Sequence, residues 1–92
     1  MKTIRWNLTK NQKLQSERGI TFEVILDGIK EGHLLDDYEH PDKVRYANQR
    51  ILVVKIENYA YLVTYVETEL EIFLKTIIPS RKATKKYILN ED

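Results

Sequence analysis

Five cations and no acid lie in the thirteen-residue stretch Lys75-Thr76-Ile77-Ile78-Pro79-Ser80-Arg81-Lys82-Ala83-Thr84-Lys85-Lys86-Tyr87. A planar guanidinium fork and a compact ammonium suit a phosphate whose negative charge grows in a transition state, which makes Arg81 and Lys75 candidate catalytic cations. Lys75 interrupts the apolar run from Glu71 to Ile78. Either its ammonium snorkels to solvent or it serves an anion, because burying it unpaired is expensive. His40 sits in a polar segment with Glu39, Asp42, Arg45 and Tyr46. An imidazole can accept and return a proton, as strand cleavage at phosphorus requires, although a lone loop histidine is also an ordinary surface residue.

The element that must present these cations is a strand turning into a short basic helix. With Ser80 as its N-cap, the helix begins with free N–H groups and an electropositive end. Arg81 and Lys82 oppose that dipole at a cost of roughly 0.3–1 kcal/mol, so their placement asks for a reason beyond folding, which an incoming phosphate would supply. Arg81, Lys82, Lys85 and Lys86 span an arc of about 140° at 100° per residue, leaving Ala83, Thr84 and Tyr87 to pack. The plainer alternative is a solvated surface helix. Tyr46 and Trp6 could stack on bases, but Trp6, at the end of a short first strand, is better suited to the core.

Upstream, residues 2–6 read as a strand, and the polar run from Leu8 to Arg18 as a helix stopped by Gly19. Thr21 caps a second helix in which Phe22, Ile25, Leu26 and Ile29 form a buried stripe. A short strand at 33–38 precedes the turn at His40-Pro41-Asp42. Three strands follow at Arg50–Glu57, Tyr59–Val66 and Glu71–Ile78, dense in β-branched and aromatic residues. Even-numbered hairpin loops would put Leu52, Val54, Ile56, Tyr61, Val63, Tyr65, Leu74, Thr76 and Ile78 on the helix-covered face. Lys55 and Lys75 would then share the other face at roughly 10 Å, two inter-strand spacings.

Ninety-two residues suit one domain, 1–92, and no repeat or linker divides them. The chain has no cysteine, hence no disulfide or thiolate chemistry. Two histidines with scattered acids have no metal-ligand spacing, and no glycine-rich phosphate loop, nucleophile elbow or dinucleotide fingerprint appears, so neither metal nor cofactor is expected. No apolar run approaches a signal peptide or membrane helix, which leads to the expectation of a cytoplasmic protein without a membrane partner. Net charge is +1, but it is sorted into blocks: +4 over residues 1–18, −6 over 19–42, +3 over 43–58, −3 over 59–74 and +3 over 75–92. Such sorting fits a cationic face for nucleic acid beside an anionic one, or simply solvated faces.

Trp6-Asn7-Leu8-Thr9-Lys10, then Gly19-Ile20-Thr21-Phe22, and finally Ile78-Pro79-Ser80-Arg81-Lys82-Ala83 are the segments through which the chain resembles the BrnT toxins, RelE-like ribonucleases of bacterial type II toxin–antitoxin pairs. It departs from that pattern at Asn7 and at Glu17-Arg18. The resemblance implies a RelE-like α+β fold: an antiparallel sheet of about four strands, two N-terminal helices on one face, and a short basic C-terminal helix. It also implies metal-independent RNA cleavage that inhibits translation, with a cognate antitoxin as protein partner and RNA, free or ribosome-bound, as substrate. Lys75 and Arg81 would stabilise the phosphorane and His40 would move the proton, while Lys10, Lys55, Lys82, Lys85 and Lys86 would hold the RNA backbone. The alternative is a non-catalytic module of the same fold that binds RNA or an acidic protein.

Overall fold

The computed structural model describes residues 2–90, arranged as β1 (Thr3–Trp6), α1 (Leu8–Arg18), α2 (Phe22–Lys30), β2 (Leu34–Glu39), β3 (Gln49–Ile56), β4 (Tyr59–Glu67), β5 (Glu71–Pro79) and α3 (Arg81–Ala83), the last continuing as a π turn over Thr84–Ile88. Local chemistry sets the helix ends. Asn7 accepts a hydrogen bond from the Lys10 amide at 2.9 Å to start α1, and Gly19 ends it at φ 66°, a left-handed conformation that glycine adopts without steric cost. Thr21 then caps α2 by accepting from the Val24 amide at 3.3 Å. Asn11 ties the two helices together, its Oδ1 accepting from the Phe22 amide at 2.8 Å.

All five strands form one sheet in the order β1-β5-β4-β3-β2. This corrects the expectation of about four antiparallel strands. β2 through β5 run antiparallel, but β1 joins β5 in parallel, Thr3 beside Glu71 and Trp6 beside Leu74, because α1 and α2 carry the chain away before it returns through β2. The sheet is therefore mixed. Asn58 and Glu57, both at positive φ, close the tight β3–β4 hairpin with the twist antiparallel strands favour.

One face carries the main core, in which Leu14 of α1 and Phe22 and Ile25 of α2 pack with Val54, Val63, Tyr65, Leu74 and Ile77. Gly28 allows α2 to approach β3 closely, since a Cβ there would stand 2.7 Å from Ile56 Cδ1 and 3.3 Å from Val54 Cγ1. The other face holds a smaller cluster of Val53, Ala60 and Ala83, flanked by Leu62, Tyr38, Tyr87 and Ile88. The expected face assignment fails at the end of β5. Thr64 pairs with Thr76 and Tyr65 with Leu74, leaving Lys75 as the extra residue of a bulge. Alternation resets there, so Ile77 lies fully buried against the helices opposite Val63, while Thr76 and Ile78 pair with Thr64 and Leu62 on the α3 side.

Candidate functional site

Ser80 begins the cationic helix as expected, its Oγ accepting from the Ala83 amide at 3.0 Å. Thr84 pins the helix to the sheet: its Oγ1 donates to the Ser80 carbonyl at 2.8 Å and accepts from the buried Ala60 amide at 2.9 Å. With Ala83 and Thr84 buried, Arg81, Lys82, Lys85 and Lys86 are all exposed. The packing side of the helix thus decides which side is charged.

Tyr87 completes the attachment by donating to Asp36 of β2. Asp36, Tyr38, Ser80, Lys82, Lys86 and Tyr87 are among the walls of a shallow hollow of about 320 Å³. The Tyr87 hydrogen bond, followed by the Asp37 amide, holds the Asp36 carboxyl below the usual carboxylate range, and the nearby Lys86 ammonium acts in the same sense. The same bond pushes Tyr87 up to about 12. An anionic carboxylate and a protonated phenol therefore stand beside two ammonium groups, a juxtaposition of residues 36 and 87 that sequence spacing did not reveal.

Lys75 is exposed at its bulge with its Nζ 5.7 Å from the Phe73 ring centroid, a cation–π contact directed back along β5. Phe73 pairs with Val66 on the α3 side, so Lys75 and Arg81 address the same face. They do not converge on one phosphate. Lys75 and Ser80 are separated by roughly 16 Å of extended chain, and Arg81 lies one residue further. Lys55, half-buried opposite Ala60, also faces this side, but register offsets it from Lys75 along the strands as well as across them. The two stand about 17 Å apart rather than the anticipated 10 Å. These cations form a track along one face. None of Lys55, Lys75, Arg81, Lys82, Lys85 and Lys86 has a carboxylate within ion-pair distance among the described residues, whereas Lys2, Arg5, Lys43, Arg45 and Arg50 each do.

Two expected members of the site lie elsewhere. Lys10 belongs to α1, one turn from buried Leu14, in the layer on the opposite face. His40 follows the C-terminal end of β2, which pairs with the start of β3 and so neighbours the end of β4, whereas Ser80 and Arg81 adjoin its beginning. About 25 Å of strand separates those ends. His40 therefore cannot share a centre with Arg81, and it packs instead against Tyr46 at a centroid distance of 4.4 Å, the rings tilted by 35°.

Around that ring pair opens a groove of about 730 Å³ between the β2–β3 loop and the β4–β5 turn. Its His40 Nδ1 accepts from the Asp42 amide at 3.1 Å, which places the proton of a neutral ring on Nε2. Arg50, overlooked in the sequence, lines the groove. It is fixed by Nε donation to Asp37 Oδ1 and the Tyr65 hydroxyl, each at 3.1 Å, while Tyr65 itself donates to Asp37 at 2.8 Å. Desolvation raises the Tyr65 pKa, and its bond to Asp37 adds to the shift. Arg18, likewise overlooked, donates to the Ile77 carbonyl, joining the end of α1 to β5. Among the described residues no cluster of three potential metal ligands exists, and no helix is long and apolar enough to cross a membrane. Compared with protein-family models, with curated proteins and with solved structures, the chain matches none.

Proposed function

We propose that this protein is a small ribonuclease of the RelE-like, BrnT-type toxin kind, gripping RNA along the face that carries α3 and held in check by a cognate antitoxin that covers the same cations. The carrying observation is the run of Lys75, Arg81, Lys82, Lys85 and Lys86 on one face, each without a carboxylate partner among the described residues. Cations left uncompensated in a chain of net charge +1 favour a polyanion. The order of elements, a strand and two helices followed by an antiparallel meander and a basic helix, supports the same reading.

In this reading the ribose 2′-hydroxyl attacks the adjacent phosphorus, the bond to the 5′-oxygen breaks, and a 2′,3′-cyclic phosphate is left. Asp36 takes the 2′ proton, since each of its oxygens keeps a lone pair beyond the bonds from Tyr87 and the Asp37 amide. The Lys86 ammonium gives a proton to the departing 5′-oxygen, and Arg81 and Lys82 offset the phosphorane charge. Lys75 and Lys55 hold flanking phosphates. Incubation with single-stranded RNA, with and without translating ribosomes, tests this. Cyclic-phosphate ends are expected from the parent and are lost in Arg81→Ala and Asp36→Asn, along with growth arrest on expression.

A second reading, a module that binds RNA or an acidic protein without cutting, is favoured by one observation: His40, the histidine expected to move the proton, lies at the far end of the sheet from Arg81. RNA left intact by the parent in both conditions, but still bound, would select it.

A further inference from the structure

The groove at the His40 end differs in charge from the α3 face. Lys2 lies 2.7 Å from Glu67 and Lys43 lies 3.0 Å from Glu39, so two of its three cations are neutralised within its own walls. Arg50, the third, is neutralised by Asp37 at 3.1 Å. A phosphate finds no surplus charge here. What remains is hydrogen-bonding capacity on a fixed frame. Arg50 uses Nε and Nη2 on Asp37 and Tyr65, which leaves Nη1 without a partner, and Glu69 has no partner among the described residues. The rings of His40 and Tyr46, in contact and tilted 35° to one another, add an aromatic wall, and the volume of about 730 Å³ lies within the range of pockets that take a small organic ligand.

We infer that this groove is a nucleobase site that reads an unpaired guanine. Guanine is the base whose edges suit both free groups at once: its O6 and N7 accept from a guanidinium, and its N1–H and N2–H₂ donate side by side to the two oxygens of a carboxylate. Adenine offers a carboxylate one such donor group, and the pyrimidines lack the paired O6 and N7 acceptors. The base stacks on the His40 and Tyr46 wall, as unpaired bases do on aromatic side chains. Asp37 and Tyr65 keep the Arg50 fork immobile, which makes them positioning residues for the readout. The inference rests on the RNA reading above and deepens it, since phosphates on the α3 face and a base in this groove would give the protein a sequence preference at a distance from its cationic track.

Neutral nucleosides test the groove without engaging the cations. Amide NMR titration with guanosine is expected to shift residues 40–50 and 67–69, with adenosine, cytidine and uridine at least tenfold weaker. Glu69→Gln, a change at an exposed turn residue with no structural partner, and Tyr46→Leu should each weaken guanosine at least tenfold while the protein stays folded. Equal response to all four nucleosides, no response at these residues, or a guanosine affinity untouched by Glu69→Gln overturns the inference. A uridine oligonucleotide run in parallel separates the two readings. Its binding at residues 75–88 together with a groove that stays silent to guanosine overturns the guanine site alone, while guanosine in the groove with no oligonucleotide binding anywhere overturns RNA gripping and leaves the base site standing.

Discussion

Tyr87 and Asp36 hold each other in opposite protonation states, and that coupling gives the C-terminal helix a pH dependence. Tyr87 is raised to about 12 by its bond to Asp36, so the folded state retains the phenolic proton above the ordinary tyrosine value of 10. The stability it contributes is complete below pH 10 and is lost as pH rises through about 12. Asp36 works the other way, being lowered: its contribution is present above the unfolded carboxyl value and lost as pH falls through the folded one. Tyr87→Phe is therefore expected to lower stability at neutral pH and to remove the part of the alkaline decline that falls between pH 10 and 12, measured by urea midpoints across that range. A decline of unchanged size in the variant would mean that the bond contributes nothing. The pair is 51 residues apart and meets only because α3 folds back onto β2, so spacing along the chain carried no sign of it.

Thr84 shows how one side chain can fasten an element. It is buried, accepts from the Ala60 amide within β4 and donates to the Ser80 carbonyl, and the helix widens to a π turn at its own position, with the Leu89 amide reaching the Thr84 carbonyl at 3.0 Å. Thr84→Val keeps the shape but leaves the buried Ala60 amide without an acceptor, so a loss of about 2 kcal/mol is expected in denaturant unfolding. Gly28→Val, whose Cβ would stand 2.7 Å from Ile56 Cδ1 and 3.3 Å from Val54 Cγ1, should cost about 2 kcal/mol by displacing the end of Ile56 and crowding its branched methyls between Val54 and the β3 backbone. A thermal midpoint equal to the parent's would refute that close approach. Elements governed by local rules were legible in the sequence: the caps at Thr21 and Ser80, the glycine stop at Gly19 and the reversal at Asn58. Gly28 was not, because a need for smallness depends on what packs opposite. The bulge at Lys75 was illegible for a related reason, since one extra residue in β5 alters no composition but reverses the faces of Thr76, Ile77 and Ile78.

At the scale of the molecule, the sheet separates two tasks that the residue types alone would place at one site. Lys75, Arg81 and His40 were expected around one phosphate, yet strand direction puts His40 at one end of the sheet and Arg81 at the other, with Lys75 between. Charge blocks could be counted from the sequence, but only the register decides which blocks become a face. The cations from Lys75 to Lys86 share the α3 side, while Lys2, Lys43 and Arg50 are neutralised at the far end. This division predicts how RNA binding responds to salt. If the six cations Lys55, Lys75, Arg81, Lys82, Lys85 and Lys86 displace counterions from single-stranded RNA, log affinity should fall against log salt with a slope of about −4.2, and removing Lys82, Lys85 and Lys86 together as alanines should reduce it to about −2.1. Anisotropy of a labelled uridine oligonucleotide across a salt series measures both slopes. The groove variants Glu69→Gln and Tyr46→Leu should leave the slope at its parent value, because neither residue forms part of the cationic track. A triple variant that retained the full slope would locate the RNA contacts away from the basic helix, and the cationic face would then lose its claim to the polyanion.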